Sequence, residues 1–116
     1  PKPEREYEST RTDPVSLQSI WRSGDYLNMV LQVLVKDQEH DLSFIETALR
    51  TNETNRKQTL MLTLYHDRKG DVEGFYQKFY LSVPLWHYKG ILNKGDTIVF
   101  QLNTYKEGVI QRTFTY

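Results

Sequence analysis

The chain has 116 residues, of which 38% are hydrophobic and 26% charged, a size and composition that suit one domain with one core. Lys and Arg balance Asp and Glu at fifteen each, which argues against a nucleic-acid-binding protein and against a polybasic membrane-binding segment. The absence of Cys excludes a disulfide framework and thiolate chemistry, and no apolar run approaches the roughly 20 residues of a membrane-spanning helix.

Residues 1–13 are charged, contain prolines and have almost no aliphatic side chains. Together with a start at proline instead of Met, this predicts a linker or tail from a missing N-terminal part. The folded domain is predicted at residues 14–116. Its first strand, residues 15–20, is followed by a turn at residues 23–25, where Ser, Gly and Asp favour a reversal of the chain.

Residues 26–36 have the clearest pattern in the chain, because every second side chain is apolar. These are Leu27, Met29, Leu31, Val33 and Val35. A period of two is typical of a strand with one buried face. Residues 40–46 are predicted to return as its partner, so that residues 26–46 form a hairpin. The polar stretch 47–57 is predicted to be a surface loop in which Ala48 could lie in a helical turn.

Two more strands are predicted at residues 58–66 and 75–83. The inner face of the first carries Leu60, Leu62 and Leu64, and that of the second carries Phe75, Phe79, Leu81 and Val83. Residues 67–74 separate these strands and contain two Gly and two Asp, which predicts a hairpin loop.

Pro84 ends the second of these strands because it has no N–H to donate. Residues 85–92 are predicted to cross over, and a helical turn would fit there. Residues 97–104 and 109–116 then form the last hairpin, with inner-face residues Ile98, Phe100, Leu102, Ile110 and Phe114. Arg112 also has inner-face parity, so either the strand ends at a rim or a bulge shifts its register.

These patterns predict an all-β fold, because strands with one apolar face must bury it against a second layer. We expect a two-layer antiparallel β-sandwich of about seven strands with immunoglobulin-like or Greek-key topology. A small closed barrel is the alternative.

The acidic loop residues Asp67, Asp71 and Glu73 could bind a cation, but Arg68 and Lys69 bring positive charge between them. Calcium loops instead space their oxygen ligands on alternate residues. The sequence therefore favours a solvated hairpin tip at this loop.

The three histidines, His40, His66 and His87, lie on separate elements. His40 and His66 fall at strand ends and could meet across a sheet, but strand-end histidines are usually solvated and a zinc site needs three or four converging ligands. The sequence has no Gly-x-Ser-x-Gly elbow, no phosphate-binding glycine loop and no dinucleotide motif. We therefore predict a non-enzymatic domain with no metal and no cofactor.

Aromatic residues give the one indication of a binding surface. Tyr76 and Tyr80 flank Lys78 on the outer face of their strand, and Trp86 and Tyr88 follow. Exposed aromatic rings beside hydrogen-bonding groups can stack on sugar rings or anchor a protein partner. The alternative is ordinary strand packing, since Tyr and Trp are good strand residues. If a binding site exists, these five residues are the predicted site.

The placed strands resemble the C-terminal domain of NigD-like proteins over residues 14–116. The resemblance rests on Trp21 followed by residues 24–28 (Gly-Asp-Tyr-Leu-Asn), and on residues 103–105 (Asn-Thr-Tyr) and 113–116 (Thr-Phe-Thr-Tyr) of the terminal hairpin. It implies a β-sandwich preceded, in the full-length protein, by a smaller β-rich domain and a lipoprotein signal. The lipobox Cys is not in this sequence.

This resemblance implies an extracytoplasmic protein of the outer membrane or periplasm, attached to the membrane only through a lipid on the missing part. The resemblance does not imply any catalytic activity. We expect a binding or accessory domain whose partner is a glycan or a protein and not a nucleic acid. The alternative is a bacteriocin-associated immunity or toxin-binding protein.

Overall fold

The computed structural model describes residues 11–116, which form seven strands and one 3-10 helix. The strands are β1 (Ser16–Ser23), β2 (Tyr26–Val35), β3 (Asp41–Thr51), β4 (Gln58–Asp67), β5 (Phe75–Pro84), β6 (Thr97–Thr104) and β7 (Gly108–Thr115). The 3-10 helix, Leu85–Tyr88, follows β5. Within this part of the chain, no helix has the length and apolar character needed to span a membrane.

The strands form two sheets, β1-β2-β5 and β3-β4-β6-β7, whose inner faces pack against each other. The predicted all-β sandwich is confirmed, and the chain does not close into a barrel. The sheets differ in one respect from the all-antiparallel prediction, because β4 and β6 are parallel. Between them the chain runs back through β5 in the other sheet and crosses over, which is the connection that parallel neighbours require.

The centre of the three-stranded sheet is β2, which pairs with β1 on one side and with all ten residues of β5 on the other. Its alternating apolar residues, predicted to face inward, are all buried. They meet Leu60, Leu62 and Leu64 of β4 and Ile98, Phe100 and Leu102 of β6 in one core cluster. The central strands are therefore the ones whose inner faces the sequence predicts correctly.

The two hairpins predicted within residues 26–83 are wrong. β3 does not return along β2 but pairs with β4 in the opposite sheet, and β5 does not return along β4 but pairs with β2. The turn residues indicate where the chain reverses, but they do not determine which sheet receives the next strand. The last predicted hairpin, β6–β7, is confirmed.

Three local predictions are corrected by the structure. β3 continues to Thr51 where a surface loop was predicted, because a register shift between Glu46 and Ala48 lets pairing with β4 resume. Phe75 is largely exposed instead of inward-facing, since it begins an edge strand. β7 has no bulge at Arg112, which is exposed opposite Phe100, so the explanation of a strand at the rim is the one that holds.

Residues 11–15 connect to the four-stranded sheet before the chain enters β1. Thr12 and Val15 bridge to His66 of β4 and Thr104 of β6, where those two strands are no longer paired with each other. Residues 11–13 were assigned to the predicted tail, and residues 1–10 of that tail lie outside the described residues. We call residues 11–15 the N-terminal segment.

Tyr105 links the two sheets through one hydrogen bond. It follows β6, and its hydroxyl accepts the backbone N–H of Leu34 at 2.9 Å. β1 pairs with β2 only as far as Gln32, so the N–H of Leu34 lies beyond the end of that pairing. The tyrosine therefore satisfies a donor that would otherwise need water.

Truncating the centre of β4 tests the core. Leu62 is fully buried, so Leu62→Ala should lower the free energy of unfolding by about 2–5 kcal/mol in urea titrations, through lost burial and the cavity left behind. Val109→Ala is the control, because Val109 is exposed and its loss should change stability by less than about 0.5 kcal/mol. Equal effects of the two substitutions would contradict the sandwich.

Removing the hydroxyl of Tyr105 tests the link between the sheets. Tyr105→Phe should cost about 1 kcal/mol of unfolding free energy and speed the amide exchange of Leu34, because that N–H loses its acceptor. Tyr76→Phe is the matched control, since Tyr76 touches the Tyr105 ring but is itself half exposed. Unchanged exchange at Leu34 would rule the bond out.

Candidate functional site

The side of the three-stranded sheet that points away from the core is the candidate binding surface, which we call the outer face. Its members follow from register, since residues directly opposite in neighbouring strands share a face. They are Ser16, Ser19, Trp21 and Ser23 of β1; Tyr26, Asn28, Val30, Gln32 and Leu34 of β2; and Tyr76, Lys78, Tyr80, Ser82 and Pro84 of β5.

Four aromatic side chains project from this face, and Tyr26, at its end, is 45% exposed. Tyr80 is 76% exposed, Tyr76 51% and Trp21 45%. Standard strand dimensions put Tyr76 and Tyr80 about 13 Å apart along β5, and Trp21 about 12 Å from Tyr80 across the sheet. Val30 lies opposite Tyr80 and is buried although it points outward, so neighbouring side chains cover it. The rings therefore form a broad apolar surface with no deep pocket beneath them.

Uncharged polar groups lie between the rings. The hydroxyl of Ser82 donates to Asn28 Oδ1 at 2.7 Å, and Gln32 Nε2 donates to Gln18 Oε1 at 3.0 Å. Among the described residues of this face there is no carboxylate, and Lys78 provides its single charge. The surface thus offers aromatic contact and amide or hydroxyl hydrogen bonds.

The structure separates the five predicted site residues. Tyr76, Lys78 and Tyr80 share the outer face, as their alternation predicts. Trp86 is half exposed but lies on the 3-10 helix, beyond the last sheet pair, with its ring 4.1 Å from that of His87. Tyr88 is only 6% exposed and belongs to the core, because positions three apart on a 3-10 helix point the same way and Leu85 is also buried.

Trp21 belongs to the outer face and is absent from the predicted site. The predicted first strand ends at residue 20, so Trp21 was not assigned to either face of the sheet. β1 extends to Ser23, and Trp21 lies opposite Asn28 while its neighbour Ile20 lies opposite the buried Met29. Alternation continued from Leu17 would have placed Trp21 on the inner face, because the register shift between Leu17 and Ser19 reverses the parity of the strand.

A second candidate is a buried row of ionisable groups at one end of the sandwich, which we call the histidine cluster: Asp71, His40 and His66. Asp71 Oδ2 lies 2.8 Å from His40 Nε2, and His40 Nδ1 lies 2.8 Å from His66 Nε2. His66 Nδ1 completes the row at 3.0 Å from the backbone carbonyl of Asp13. The two histidines do meet, which the sequence analysis allowed. Both are buried, whereas strand-end histidines are usually solvated.

Asp71 is buried, not part of a solvated hairpin tip as the sequence predicted. Burial alone would raise its pKa. The backbone N–H groups of Asp37, Lys36 and Gln38 and the ring of His40 donate to the carboxylate and together hold its pKa well below the usual range. Gly74 allows this loop to approach β2, because a Cβ there would lie 2.6 Å from the carbonyl oxygen of Val35.

Burial also lowers the pKa of His66, although hydrogen bonding to the Asp13 carbonyl and attraction to its carboxylate oppose the shift. His66 is 1% exposed, and all four ring nitrogens of the two histidines are engaged within the row. Among residues 11–116 no serine or threonine hydroxyl is hydrogen-bonded to either ring. The cluster therefore lacks an activated nucleophile in contact with it.

Metal binding has no support from the geometry of the described residues. No set of three or more His, Asp or Glu side chains among them is placed to hold an ion. The short contact between the two histidines is a hydrogen bond, so their nitrogens are already occupied by each other.

With the fold and both candidate sites described, comparison with known proteins identifies the family. The family model described as the NigD-like C-terminal β-sandwich domain matches residues 1–116. The chain belongs to this family. A solved NigD-like immunity protein from Bacteroides caccae is 32% identical, with a TM-score of 0.77 over 99% of this chain.

Two other solved structures share the fold at lower identity. A protein of unknown function from Bacteroides vulgatus is 19% identical with a TM-score of 0.74 over 97% of this chain. A putative toxin-related protein from Parabacteroides distasonis is 20% identical with a TM-score of 0.68 over 99%. This NigD-like chain spans 59%, 53% and 56% of the three solved chains, in the order given. No curated protein matches it.

Acid should destabilise the NigD-like domain through its buried carboxylates. Asp96 is buried like Asp71, and hydrogen bonds from Asn93 and Gln58 lower its pKa against the effect of burial. The unfolded chain therefore takes up protons first as pH falls below the ordinary aspartate value of 3.8, and the free energy of unfolding decreases. Asp96→Asn should flatten this acid dependence in denaturant titrations.

Asp41→Asn is the matched control for this prediction. Asp41 is exposed and forms a surface ion pair with Lys69 at 3.0 Å, which contributes little to stability in water. The free energy of unfolding of the Asp41→Asn chain should decrease in acid as much as that of the unmodified chain does. An Asp96→Asn chain with the same acid dependence as the Asp41→Asn chain would contradict the assigned role of Asp96.

Proposed function

We propose that this NigD-like chain is the non-enzymatic binding domain of a cell-envelope protein and that it recognises a neutral glycan through the outer face. The observation that carries the proposal is the set of exposed rings, Trp21, Tyr76 and Tyr80, on a surface without carboxylates. Tyr and Trp present a rigid apolar body with a polar tip, and they bury large areas at low cost in conformational entropy.

A neutral glycan fits this surface better than a charged ligand does. Lys78 is the one charged side chain among the described residues of the face, so a nucleic acid would find no basic surface to neutralise its phosphates. The side chains of Asn28, Gln32 and Ser82 can exchange their present hydrogen bonds for bonds to sugar hydroxyls. The rings supply flat apolar area for the faces of the sugar units.

A non-catalytic role is supported by the form of both sites. The outer face is open, whereas acid–base catalysis needs positioned groups in a site that excludes water. In the histidine cluster, every ring nitrogen already has a hydrogen-bond partner. No enzyme is named among the matched family and the solved neighbours.

The proposed location is the outer membrane or periplasm, with a lipid anchor on an N-terminal part of the full-length protein. This location is what the resemblance to NigD-like proteins implies, and the proposal includes no membrane contact by the sandwich itself. Metabolic labelling of the full-length protein with a fatty acid, followed by fractionation, tests it. Recovery of unlabelled protein in the cytoplasm would contradict it.

A second candidate function is immunity through binding of a protein toxin. It is favoured by the name of the Bacteroides caccae relative, an immunity protein 32% identical to this chain. Exposed Trp and Tyr are also the residues that dominate protein–protein binding energy. Expression of the domain should then protect a sensitive strain from the toxin encoded beside it, and protection should disappear when residues 14–116 are deleted.

The glycan proposal is tested by substituting one ring at a time. Tyr80→Ala and Trp21→Ala should each weaken binding to a neutral-glycan array by about tenfold or more, because each removes a stacking surface. Both side chains are exposed, so the free energy of unfolding should change little, as circular dichroism melts would verify.

Trp86→Ala is the matched control, since Trp86 is as exposed as Trp21 but lies beyond the outer face. Its glycan binding should equal that of the unmodified chain. Binding that survives the combined Tyr80→Ala and Trp21→Ala substitutions would remove the outer face as the site. Binding to no neutral glycan together with toxin protection would favour the immunity function instead.

A further inference from the structure

The histidine cluster has a proton count that the hydrogen-bond geometry determines. The row contains three hydrogen bonds, which join the Asp13 carbonyl to His66, His66 to His40, and His40 to Asp71. Each bond needs one proton between its two heavy atoms. Two neutral imidazoles supply two protons, and an ionised carboxylate and a carbonyl supply none. The complete row therefore requires one proton more than the neutral histidines carry.

The position of each proton follows from the acceptors at the two ends. The Asp13 carbonyl can only accept, so His66 Nδ1 carries a proton, and burial keeps His66 neutral with Nε2 as an acceptor. His40 then donates from Nδ1 to His66 and from Nε2 to the carboxylate of Asp71. His40 is thus the imidazolium, and its charge is compensated by Asp71 at 2.8 Å.

Loss of this extra proton leaves one bond of the row without a hydrogen, whichever ring gives it up. It also leaves Asp71 as a buried carboxylate without its counter-charge. Buried polar groups that lose a partner are costly, and buried charges more so. The row must then open at one point. The Asp13 carbonyl is the end member of the row and lies on the N-terminal segment, which joins the sheet through isolated bridges at Thr12 and Val15 and not through a continuous strand. Opening the row there disrupts no continuous strand pairing.

We infer that Asp71, His40 and His66 form a one-proton clasp that holds the N-terminal segment in the four-stranded sheet and releases it when the proton is lost. The segment is also tied to β4 by backbone bonds on both sides of His66: its N–H donates to Arg11, and its carbonyl accepts from Asp13. Opening the row at Asp13 therefore loosens the place where the chain joins the sandwich.

Other ionisable groups near the cluster lie on every element around it. They are Arg11 and Asp13 on the N-terminal segment; Lys36, Asp37 and Glu39 between β2 and β3; Asp41 on β3; Tyr65 and Asp67 on β4; and Arg68, Lys69 and Glu73 between β4 and β5. The Asp13 carboxylate accepts the backbone N–H of Arg68, and Lys69 pairs with Asp41 on the surface. The histidine cluster itself contains no second cation, so the proton on His40 neutralises Asp71.

Side-chain nitrogen NMR of the unmodified chain tests the proton count directly. At about pH 7, where a free histidine is mostly neutral, His40 should show two protonated ring nitrogens. His66 should be neutral and protonated at Nδ1. His87 is exposed and serves as the internal control, and His87→Gln assigns its signals. Two neutral rings at His40 and His66 in the folded chain would overturn the inference.

Amide hydrogen exchange tests the release. As pH rises and His40 loses its charge, protection at the amides of Asp13 and His66 should fall by about tenfold or more beyond the intrinsic pH effect. The amide of Tyr116 is the control, because it is bonded to Asp96 in a separate contact. Protection at Asp13 and His66 that stays unchanged while His40 loses its proton would show that the cluster does not hold the segment.

The Asp71→Asn variant provides an independent test of the proton count. An amide nitrogen can donate to His40 Nε2, so the row can be completed by two neutral imidazoles without an extra proton. His40 should then be neutral and protonated at Nδ1 at about pH 7, and the pH-dependent release should disappear. A charged His40 in this variant would contradict the proton count. Because the NMR measurement on the unmodified chain stands alone, failure of the variant to fold does not rescue the inference.

Discussion

The structure depends on the burial of one face of each sheet against the other. In β2 the residues at every second position are buried, and they meet the alternating leucines of β4 and the inner residues of β6. Burial of that kind is the largest favourable contribution to folding. It also fixes the register, because a shift of one residue would turn every inner side chain to water. The outer face and the edges are then free to vary without loss of the core.

Alternation in the sequence predicts the inner faces of the strands well, and Phe75, at the start of an edge strand, is the exception. Leu62 and Phe100 lie on strands with neighbours on both sides, so their parity alone determines burial. Phe75 has the same parity as the buried Val83, but it begins an edge strand and is exposed. Pairing between strands was harder still, since the turn before β3 does not indicate that the chain changes sheets. That choice depends on contacts far apart in sequence.

The candidate sites show the same division between local and long-range information. The shared face of Tyr76, Lys78 and Tyr80 follows from a period of two. Trp21 could not be placed in this way, because the register shift between Leu17 and Ser19 reverses the alternation of β1 before it reaches Trp21. The burial of Tyr88 depends on a 3-10 turn that the sequence leaves open. The role of Asp71 could not be predicted, because its partners all come from the β2–β3 loop, which is more than 30 residues away in the sequence.

Polar groups in this domain join loops and strands at points where apolar packing ends. Tyr105 completes the hydrogen bonding of Leu34 in the opposite sheet, and Asp96 joins the start of β4 to the loop before β6. The histidine cluster joins the N-terminal segment, the β2–β3 loop, β4 and the β4–β5 loop. These contacts are buried and directional, so each specifies one arrangement of the loops around the core.

Native-state hydrogen exchange over residues 11–116 tests the central claim most directly. The account predicts that amides of β2, β4 and β6 exchange only through global unfolding, because these strands are paired on both sides and buried on their inner faces. Amides at the outer edges of β5 and β7 should exchange through smaller openings. Exchange of the β2 amides as fast as those of β7 would contradict a sandwich organised around the burial of β2.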